Sequence, residues 1–337
     1  IGDLYQLPPV VTSRQRGPFK EFYKSPYFFD AMVFKKDFDM HFIELEKVYR
    51  QRDDRFLNIL NAIRNNTASE KDLAAINGRY MPDFHDDKGF YIYLTTTNDL
   101  ADSINSKRLG DLKGKEYQYH GLIEGDFNNK DLPTNIDMNI KIGAQVMLLN
   151  NDSSGRWING SIGKVVDIEE KKGEPDIIRV ELQEGEIVDV ETYTWHMYEF
   201  HYDKRSKAII SDVVGTFTQY PLKLAWAVTI HKSQGLTFDK VILDIGKGTF
   251  SHGQLYVALS RCTTLEGIIL KKEIAKKHIF MGWRVVEFVT KYQYKQAQTS
   301  LPSDEKLSIL EKAVKDKRPL EIIYLKTKDE KSRRTII

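Results

Sequence analysis

The sequence has one cysteine, almost no net charge and no long apolar run. Cys262 has no possible intrachain disulfide partner, which is typical of a protein from a reducing, cytosolic compartment. The 50 basic and 48 acidic side chains give a net charge of only +2, so binding to nucleic acid would have to rest on a local basic surface. No apolar run approaches the roughly 18 residues of a membrane-spanning helix, and the first residues lack a signal-peptide layout. These absences exclude a membrane protein and a disulfide-rich one, and they predict a globular chain.

Helical and strand patterns alternate along much of the chain. From Arg55 onward, Phe56, Ile59, Leu60 and Ile63 recur at helical spacing. A serine at position 69 with an aspartate at position 72 predicts a second, capped helix. Apolar runs predict strands at residues 90–94, 143–149, 224–228 and 241–245, a capped helix to about residue 109, and helices after the last two strands. This rhythm predicts an α/β fold.

The two ends of the chain have the patterns of incomplete domains. Near the start, a helical stretch at residues 24–34 and a strand at 41–45 are too little to fold alone. Near the end, we predict a helix at residues 283–298, a second helix after residue 301, a strand at 320–325 and a turn at 328–330.

Residues 150–220 have a different pattern, of short strands separated by turn signals. Asn159-Gly160 and the glycine-containing segments at 172–175 and 184–186 are typical of hairpin turns. The strands are predicted at residues 165–168, 177–182, 187–193, 196–202 and 208–217. Together they predict a small β-barrel inserted into the α/β domain. Its aromatic residues are expected to be mostly core, with one or two left exposed to stack on bases.

Three segments carry candidate chemistry. Gln6 follows a strand and precedes two prolines, so the segment is either a stiffened loop or a means of presenting an amide to a γ-phosphate or an attacking water. Arg50 lies where a strand ends, which is where ligands bind in α/β sheets, although a surface ion pair with Glu46 or Asp53 is the alternative. Arg261 lies at or just past a predicted helix. It either binds carbonyl groups there or acts as an arginine finger.

A donor-rich turn follows the strand at residues 224–228. Thr229, His231, Lys232 and Ser233 crowd hydrogen-bond donors into one turn, and Gly235 allows close backbone approach. A buried core segment would not have six polar or glycine positions in seven residues. We therefore predict a phosphate-binding turn.

These segments, taken in order, resemble the PIF-like helicases, a RecD-related branch of superfamily 1. The resemblance extends from residue 2 to about residue 270. It is carried by Gly-Asp-Leu-Tyr-Gln-Leu-Pro-Pro-Val (2–10), Val-Tyr-Arg-Gln (48–51), Asn-Gly-Ser-Ile-Gly (159–163), Leu-Ala-Trp-Ala-Val-Thr-Ile-His-Lys-Ser-Gln-Gly (224–235) and Tyr-Val-Ala-Leu-Ser-Arg (256–261). A weaker likeness to the opening of a WYL-type ligand-binding module covers residues 306–337.

The resemblance implies an ATP-dependent DNA helicase that moves 5′ to 3′, with single-stranded and forked duplex DNA as partners and a monomeric state. ATP and Mg would be its cofactors, with nucleotide between two RecA-like domains. Catalytic roles fall on Gln6, Arg50 and Arg261, and Gln234 and Gly235 join these three in the nucleotide site. The expected DNA-binding residues are Thr95, Asn98, Asn159, Thr229, His231, Lys232 and Ser233.

The resemblance also implies a domain plan. Residues 1–48 would be the remnant of a first RecA-like motor domain, residues 49–150 and 220–298 the second, residues 151–219 an inserted Src-homology-3-like barrel, and residues 299–337 the start of a WYL-like module.

No phosphate-binding loop of the form Gly-x-x-x-x-Gly-Lys-Ser/Thr occurs in the sequence. Each of the Gly-Lys pairs at 114–115, 163–164 and 246–247 lacks the required glycine five residues earlier. We therefore expect this chain to be one part of a helicase, with no metal ligands of its own and little ATPase activity alone. Two alternatives remain open: a non-enzymatic single-strand-binding protein that uses the barrel, and a regulatory protein centred on the C-terminal module.

Overall fold

A computed structural model describes residues 2–11, 16–35, 40, 43, 45, 47–51, 53–86, 90–128, 132–203, 208–246, 248–300, 303–325 and 331–336. The helices in these ranges are α1 (Arg16–Phe22), α2 (Asp54–Arg64), α3 (Glu70–Asn77), α4 (Asn98–Asp111), α5 (Gln254–Leu259), α6 (Trp283–Ser300) and α7 (Ser303–Asp316). None of these helices is long and apolar enough to cross a membrane.

The strands are short, and most of them lie between α4 and α5. They are β1 (Ile92–Thr95), β2 (Glu116–His120), β3 (Leu122–Gly125), β4 (Asp137–Lys141), β5 (Gln145–Leu148), β6 (Ile162–Glu169), β7 (Ile177–Leu182), β8 (Ile187–Val190), β9 (Tyr193–Asp203), β10 (Ala208–Gln219), β11 (Leu222–Leu224), β12 (Ala227–Thr229), β13 (Val241–Asp244), β14 (Ile268–Leu270), β15 (Leu320–Leu325) and β16 (Lys331–Ile336).

The chain divides into two compact units. The split unit consists of Ile1–Phe84 and Ile230–Ile337, and the central unit is His85–Thr229. Each unit contains a pair of parallel strands: β13 with β14 in the split unit, and β1 with β12 in the central unit. Helices accompany both pairs, which confirms the mixed α/β class with parallel strand pairing.

In the central unit, an asparagine attaches α4 to the parallel strand pair. The side chain of Asn105 donates to the carbonyl oxygen of Ala227 and accepts from the backbone N–H of the same residue, both at 2.9 Å. Thr97 caps α4 by accepting from the N–H of Leu100, as the polar run before that helix predicted. The middle of α4 is thereby held against the first residue of β12.

The remaining strands of the central unit form antiparallel sheets. One sheet has the order β11-β5-β6-β7-β8, another has β3-β10-β9, and β2 pairs with β4. The turns at residues 172–175 and 184–186 connect β6 to β7 and β7 to β8, so these two hairpin predictions are confirmed. Asn159-Gly160 lies in the longer loop that connects the antiparallel strands β5 and β6. A core that includes Trp157, Val180 and Leu222 lies under the five-stranded sheet. Closure of these strands into a barrel stays a prediction.

In the split unit, α2 has the predicted apolar face. Phe56, Ile59, Leu60 and Ile63 are all buried. The second predicted helix is α3, and Ser69 begins it with a capping box in which its side chain accepts from the N–H of residue 72. Both helices were predicted from the sequence because their signals lie within a few residues of one another.

The helix predicted at residues 24–34 is wrong. The structure has α1 earlier in the chain and two short 3₁₀ turns at Phe28–Asp30 and Met32–Lys35. Tyr27 and Ala31 are extended and interrupt the helical pattern. Phe29 instead stacks on Phe288 of α6, with ring centroids 4.3 Å apart. Packing of these aromatic rings onto α6 therefore outweighs the local helical spacing.

The strand predicted at residues 224–228 is divided in two, and the helix predicted after it is absent. β11 pairs antiparallel with β5, whereas β12 pairs parallel with β1. Residues 230–235 then form consecutive turns that lead towards β13. The predicted strand at 41–45 and turn at 328–330 fall largely or wholly outside the described residues. At the C-terminus, α6, α7 and β15 are confirmed.

Candidate nucleotide site and nucleic-acid interface

Two arginines that are 211 positions apart in the sequence meet at Ser260. Arg50 donates from Nη1 to the carbonyl oxygen of Ser260 at 3.2 Å, and from Nε to Thr237 Oγ1 at 2.9 Å. Arg261 donates from Nη2 to Ser260 Oγ at 3.1 Å. The structure thus brings together the two guanidinium groups that the sequence assigned to phosphate.

Arg261 is deeply enclosed, with 1% of its surface exposed. Its Nε donates to the Val257 carbonyl oxygen at 3.0 Å, and its Nη1 donates to that of Leu236 at 3.1 Å. Burial lowers the pKa of this guanidinium to about 10, and the neighbouring charge of Arg50 contributes to the decrease. At neutral pH the group is still protonated, so a positive charge is held inside the fold.

No carboxylate in the described part of the chain forms an ion pair with either arginine. Asp53, one of the two partners considered for Arg50, instead accepts from the backbone N–H of Arg55 and caps α2. The other, Glu46, lies outside the described residues. Two guanidinium groups without a carboxylate between them favour an anion, and a phosphate matches their forked donors.

Gln6 occupies the same unit and is hydrogen-bonded on both sides of its amide. Its Nε2 donates to Asp3 Oδ2 at 3.2 Å, and its Oε1 accepts from Gln234 Nε2 at 3.1 Å. Gly235 follows Gln234 in the chain. It has a φ of +91°, and a Cβ added to it would meet no other atom within 4 Å. The predicted nucleotide residues Gln6 and Gln234 are therefore in direct contact.

The turn after β12 is closed by its own side chains. Ser233 is fully buried, and its hydroxyl donates to the Ile230 carbonyl oxygen at 2.8 Å. His231 stacks on Phe250, with ring centroids 6.2 Å apart and planes at 15°. Burial lowers the pKa of His231 and so favours its neutral imidazole. Lys232 is exposed and is the cation that this turn presents to solvent.

The central unit holds the other four residues predicted to bind DNA. Thr95 and Thr229 are buried at the ends of β1 and β12. Thr95 donates from its hydroxyl to the carbonyl oxygen of residue 97 at 3.0 Å, so it shapes the entry to α4. Asn98 is exposed as the first residue of α4, and Asn159 is exposed in the loop between β5 and β6. Of these four, only the two asparagines present their side chains to solvent.

Asp3 and Arg64 also belong to this site, although neither was predicted from the sequence. Arg64, the last residue of α2, donates from Nη2 to Asp3 Oδ1 at 3.2 Å and lies 4.6 Å above the ring of Tyr5. Tyr256 on α5 lies near these charges. Burial raises its pKa, and Asp3 raises it further, while the nearby arginines lower it. The sequence contained only a partial signal, because Asp3 lies three residues before Gln6 but Arg64 belongs to no recognised motif.

Cys262 follows Arg261 and is a buried packing residue. It is buried, and burial raises the pKa of its thiol to about 11, so the thiol stays protonated.

Comparison with known proteins identifies relatives among the same helicases that the sequence motifs resemble. The model for the UvrD-like helicase C-terminal domain matches residues 224–267, which include the donor-rich turn and Arg261. The ATP-dependent DNA helicase Pif1 of Campylobacter jejuni is 30% identical over 321 residues, which cover 87% of this chain and 68% of that protein.

Solved structures are similar as well. The crystal structure of Bacteroides sp Pif1 in complex with ADP-AlF4 has a TM-score of 0.75 and 35% identity, covering 87% of this chain and 66% of that one. The crystal structure of Bacteroides Pif1 bound to ssDNA has a TM-score of 0.65 and 36% identity, covering 88% of this chain and 66% of that one. The chain thus spans about two thirds of the length of the relatives compared. At this identity and coverage, the chain belongs to the Pif1 family of ATP-dependent DNA helicases.

Proposed function

We propose that this chain is the C-terminal part of a DNA helicase that couples ATP hydrolysis to 5′-to-3′ movement along single-stranded DNA and to unwinding of forked duplexes. The observation that carries the proposal is the convergence of Arg50 and Arg261 on Ser260, without a carboxylate partner in the described part of the chain. Pif1 relatives that carry ADP-AlF4 or ssDNA support it.

Each residue of this site has a role that follows from its geometry. The two guanidinium groups hold the phosphates and offset the negative charge that develops during phosphoryl transfer. Gln6 orients the attacking water or a phosphate oxygen, because an amide can donate and accept together. ATP supplies the phosphoryl group. No cluster of three or more acidic, histidine or cysteine side chains that could hold a metal occurs in the described residues.

Strand binding falls to the exposed polar groups around the turn and the loops. Lys232 of the split unit contacts backbone phosphates, and Asn98 and Asn159 of the central unit offer amides to nucleic acid. In this proposal the remnant of the first motor domain is residues 1–48, and the second motor domain is residues 49–150 with 220–298. The barrel insertion is residues 151–219, and the WYL-like module begins at residues 299–337. Binding of nucleotide draws the motor domains together, and hydrolysis releases them.

The first test compares ATPase activities. We expect the purified 337-residue chain to hydrolyse ATP no faster than background, because its sequence holds no phosphate-binding loop. We expect the parent protein to hydrolyse ATP and to be stimulated by single-stranded DNA. Efficient turnover by the chain alone, or none by the parent, would reject the proposal.

A second prediction concerns Lys232. Lys232→Ala in the parent protein should weaken binding to single-stranded DNA about equally for all sequences. It should also lower the slope of log K against log salt by about 0.7, the value for one lost phosphate contact. Fluorescence anisotropy at several salt concentrations measures both quantities. Lys240→Ala, which changes an exposed lysine of the same unit, is the control and should leave the slope unchanged.

One observation favours a second candidate function, strand binding by the insertion without catalysis. Tyr198 and Phe200 lie on the same face of β9, with exposures of 48% and 69% and ring centroids 6.5 Å apart. Trp157, by contrast, is buried in the core. Two successive exposed rings are the arrangement on which unpaired bases stack.

We expect the double variant Tyr198→Ala/Phe200→Ala to raise the Kd for single-stranded DNA about thirtyfold or more, since two stacked bases at about 1 to 3 kcal/mol each contribute at least about 2 kcal/mol. Ile209→Ala is the matched control, because Ile209 is 72% exposed on the same hairpin but has no aromatic ring. If the control weakens binding as much as the double variant, the hairpin does not act by base stacking. Loss of binding in a parent protein that shows no ATPase activity would favour the non-enzymatic function.

A further inference from the structure

The amide of Gln6 is held in one orientation by its neighbours. A carboxylate only accepts hydrogen bonds, so the atom facing Asp3 Oδ2 must be the Gln6 nitrogen. The Gln6 oxygen therefore faces Gln234, whose Nε2 donates to it at 3.1 Å. In the described part of the chain, one N–H and one oxygen lone pair of this amide have no other partner, and both can serve a phosphate oxygen and a water.

Asp3 is itself fixed by two further donors. Its Oδ1 accepts from the backbone N–H of Tyr5 at 3.0 Å and from Arg64 Nη2 at 3.2 Å. Burial alone would lower the pKa of Arg64, but the charge of Asp3 and its hydrogen bond more than offset this and raise it. The interaction with Asp3 therefore stabilises the charged form of Arg64 in a partly dehydrated place.

One hydrogen-bond donor of the Arg64 guanidinium group is left unsatisfied within the described part of the chain. Its Nε–H is buried and has no acceptor among the described residues. An unsatisfied buried donor costs about 1 to 3 kcal/mol. A guanidinium that only braced the fold would be expected to pair this donor, so its placement favours a role through Asp3.

A continuous line of hydrogen bonds results. It starts at the C-terminal end of α2 and passes from Arg64 to Asp3, from Asp3 to Gln6, and from Gln6 to Gln234 in the donor-rich turn. We call these four residues the amide relay. Every link has a fixed donor and acceptor, so a change at one end alters the orientation preferred at the other.

We propose that Arg64 and Asp3 are positioning residues that set the orientation of Gln6, so that strand binding at the 230–235 turn is transmitted through Gln234 to ATP hydrolysis. The inference rests on the proposed helicase function. Neither residue needs to touch nucleotide or DNA. Their effect is to keep the Gln6 amide in the polarity that presents its remaining donor and acceptor to the reacting groups.

Asp3→Asn tests the polarity of the relay with almost no change in shape. Its oxygen must still accept from Arg64 and Tyr5, so its new NH₂ group faces the Gln6 nitrogen, and two donors oppose each other. The Gln6 amide must flip or move away, so its oxygen no longer accepts from Gln234 Nε2. Arg64→Ala removes the other end of the relay. Arg64→Lys keeps the positive charge but lacks the planar, forked set of donors of a guanidinium group.

The measurement is the ratio of kcat with saturating single-stranded DNA to kcat without DNA, in the parent protein. We expect Asp3→Asn and Arg64→Ala to lower this ratio by about 10- to 100-fold, since small displacements of a catalytic group have effects of that size. The KM for ATP and the Kd for DNA should change by less than about threefold. Arg64→Lys should recover part of the ratio.

Two further results distinguish a positioning role of Arg64 and Asp3 from a purely structural one. In a Gln6→Ala background, Asp3→Asn and Arg64→Ala should have no additional effect on the ratio, because both act through Gln6. Arg79→Lys is the matched control. Arg79 also makes tertiary hydrogen bonds in this unit, to the Ile268 and Glu266 carbonyl oxygens, but it does not contact the relay. A wild-type ratio in Arg64→Ala, or additive losses with Gln6→Ala, overturns the proposal.

Hydrogen exchange tests the relay independently of ATPase activity. Arg64→Ala should speed exchange at the N–H groups of Gln234 and Leu236, which donate within the turn to His231 and Ser233 carbonyl oxygens. Arg79→Lys should not. If exchange in Arg64→Ala is unchanged, the relay is overturned, even when the parent protein is an active helicase. If Arg64→Ala exchanges faster but the parent protein has no ATPase activity, only the proposed function is rejected.

Discussion

Replacement of Arg261 by lysine is expected to lower kcat for ATP hydrolysis by the parent helicase about a thousandfold, the effect typical of an arginine finger. Lysine keeps the charge, but it cannot reach Val257, Leu236 and Ser260 and still direct a forked pair of donors at a phosphate. Steady-state ATPase assays at saturating single-stranded DNA measure kcat, and thermal melts monitor folding.

Arg79→Lys separates catalysis from the loss of carbonyl contacts. Arg79 donates to the backbone oxygens of Ile268 at 2.9 Å and Glu266 at 2.6 Å, which are contacts of the same kind as those of Arg261. Both variants should melt at a lower temperature, but only Arg261→Lys should lose turnover. Equal values of kcat for the two variants would mean that Arg261 only braces the end of α5.

The burial of Arg261 supports the proposed role of this residue in binding phosphate. A charged group that is taken out of water without a carboxylate partner costs stability, and here burial lowers its pKa to about 10. Arg50 adds a like charge beside it. Stability alone would favour an apolar residue at this position, so the arrangement is better explained by an anion that both guanidinium groups bind.

Local signals explain which elements the sequence predicted correctly. The apolar spacing of α2, the capping box at Ser69 and the turns between β6, β7 and β8 all lie within a few residues of the structure that they specify. The motif residues Arg50, Gln6 and Gln234 were also identified from sequence. Their functional roles came from the family resemblance, since a lone arginine or glutamine carries little information.

The errors and omissions have tertiary causes. The helix expected at residues 24–34 does not form, because aromatic side chains of this segment pack against α6, as in the contact of Phe29 with Phe288. The single strand expected before the donor-rich turn divides, because β11 and β12 pair with different partners. Arg64 and Asp3 are 61 positions apart, so no local pattern could have paired them.

Gly253 should also be sensitive to substitution, for reasons of space and backbone conformation. It precedes α5 with a φ of +71°, a conformation that residues with a side chain rarely adopt. A Cβ at this position would lie 2.4 Å from the carbonyl oxygen of Tyr5 and 2.6 Å from that of Gln6. Ordinary contact begins near 3.4 Å. In Gly253→Ala, the segment that bears Gln6 must therefore move by about 1 Å, enough to lower kcat roughly a hundredfold.

Gly173→Ala isolates the backbone contribution to that effect. Gly173 has a φ of +81°, but its Cβ would meet nothing within 4 Å. We expect the control to destabilise the protein by about 1 kcal/mol and to keep wild-type ATPase activity. Gly253→Ala should destabilise it by more than this and should lose activity as well. Chemical denaturation and ATPase assays on the two variants decide the matter: if Gly253→Ala resembles Gly173→Ala in both, the packing of residues 5 and 6 against α5 does not position Gln6 for catalysis.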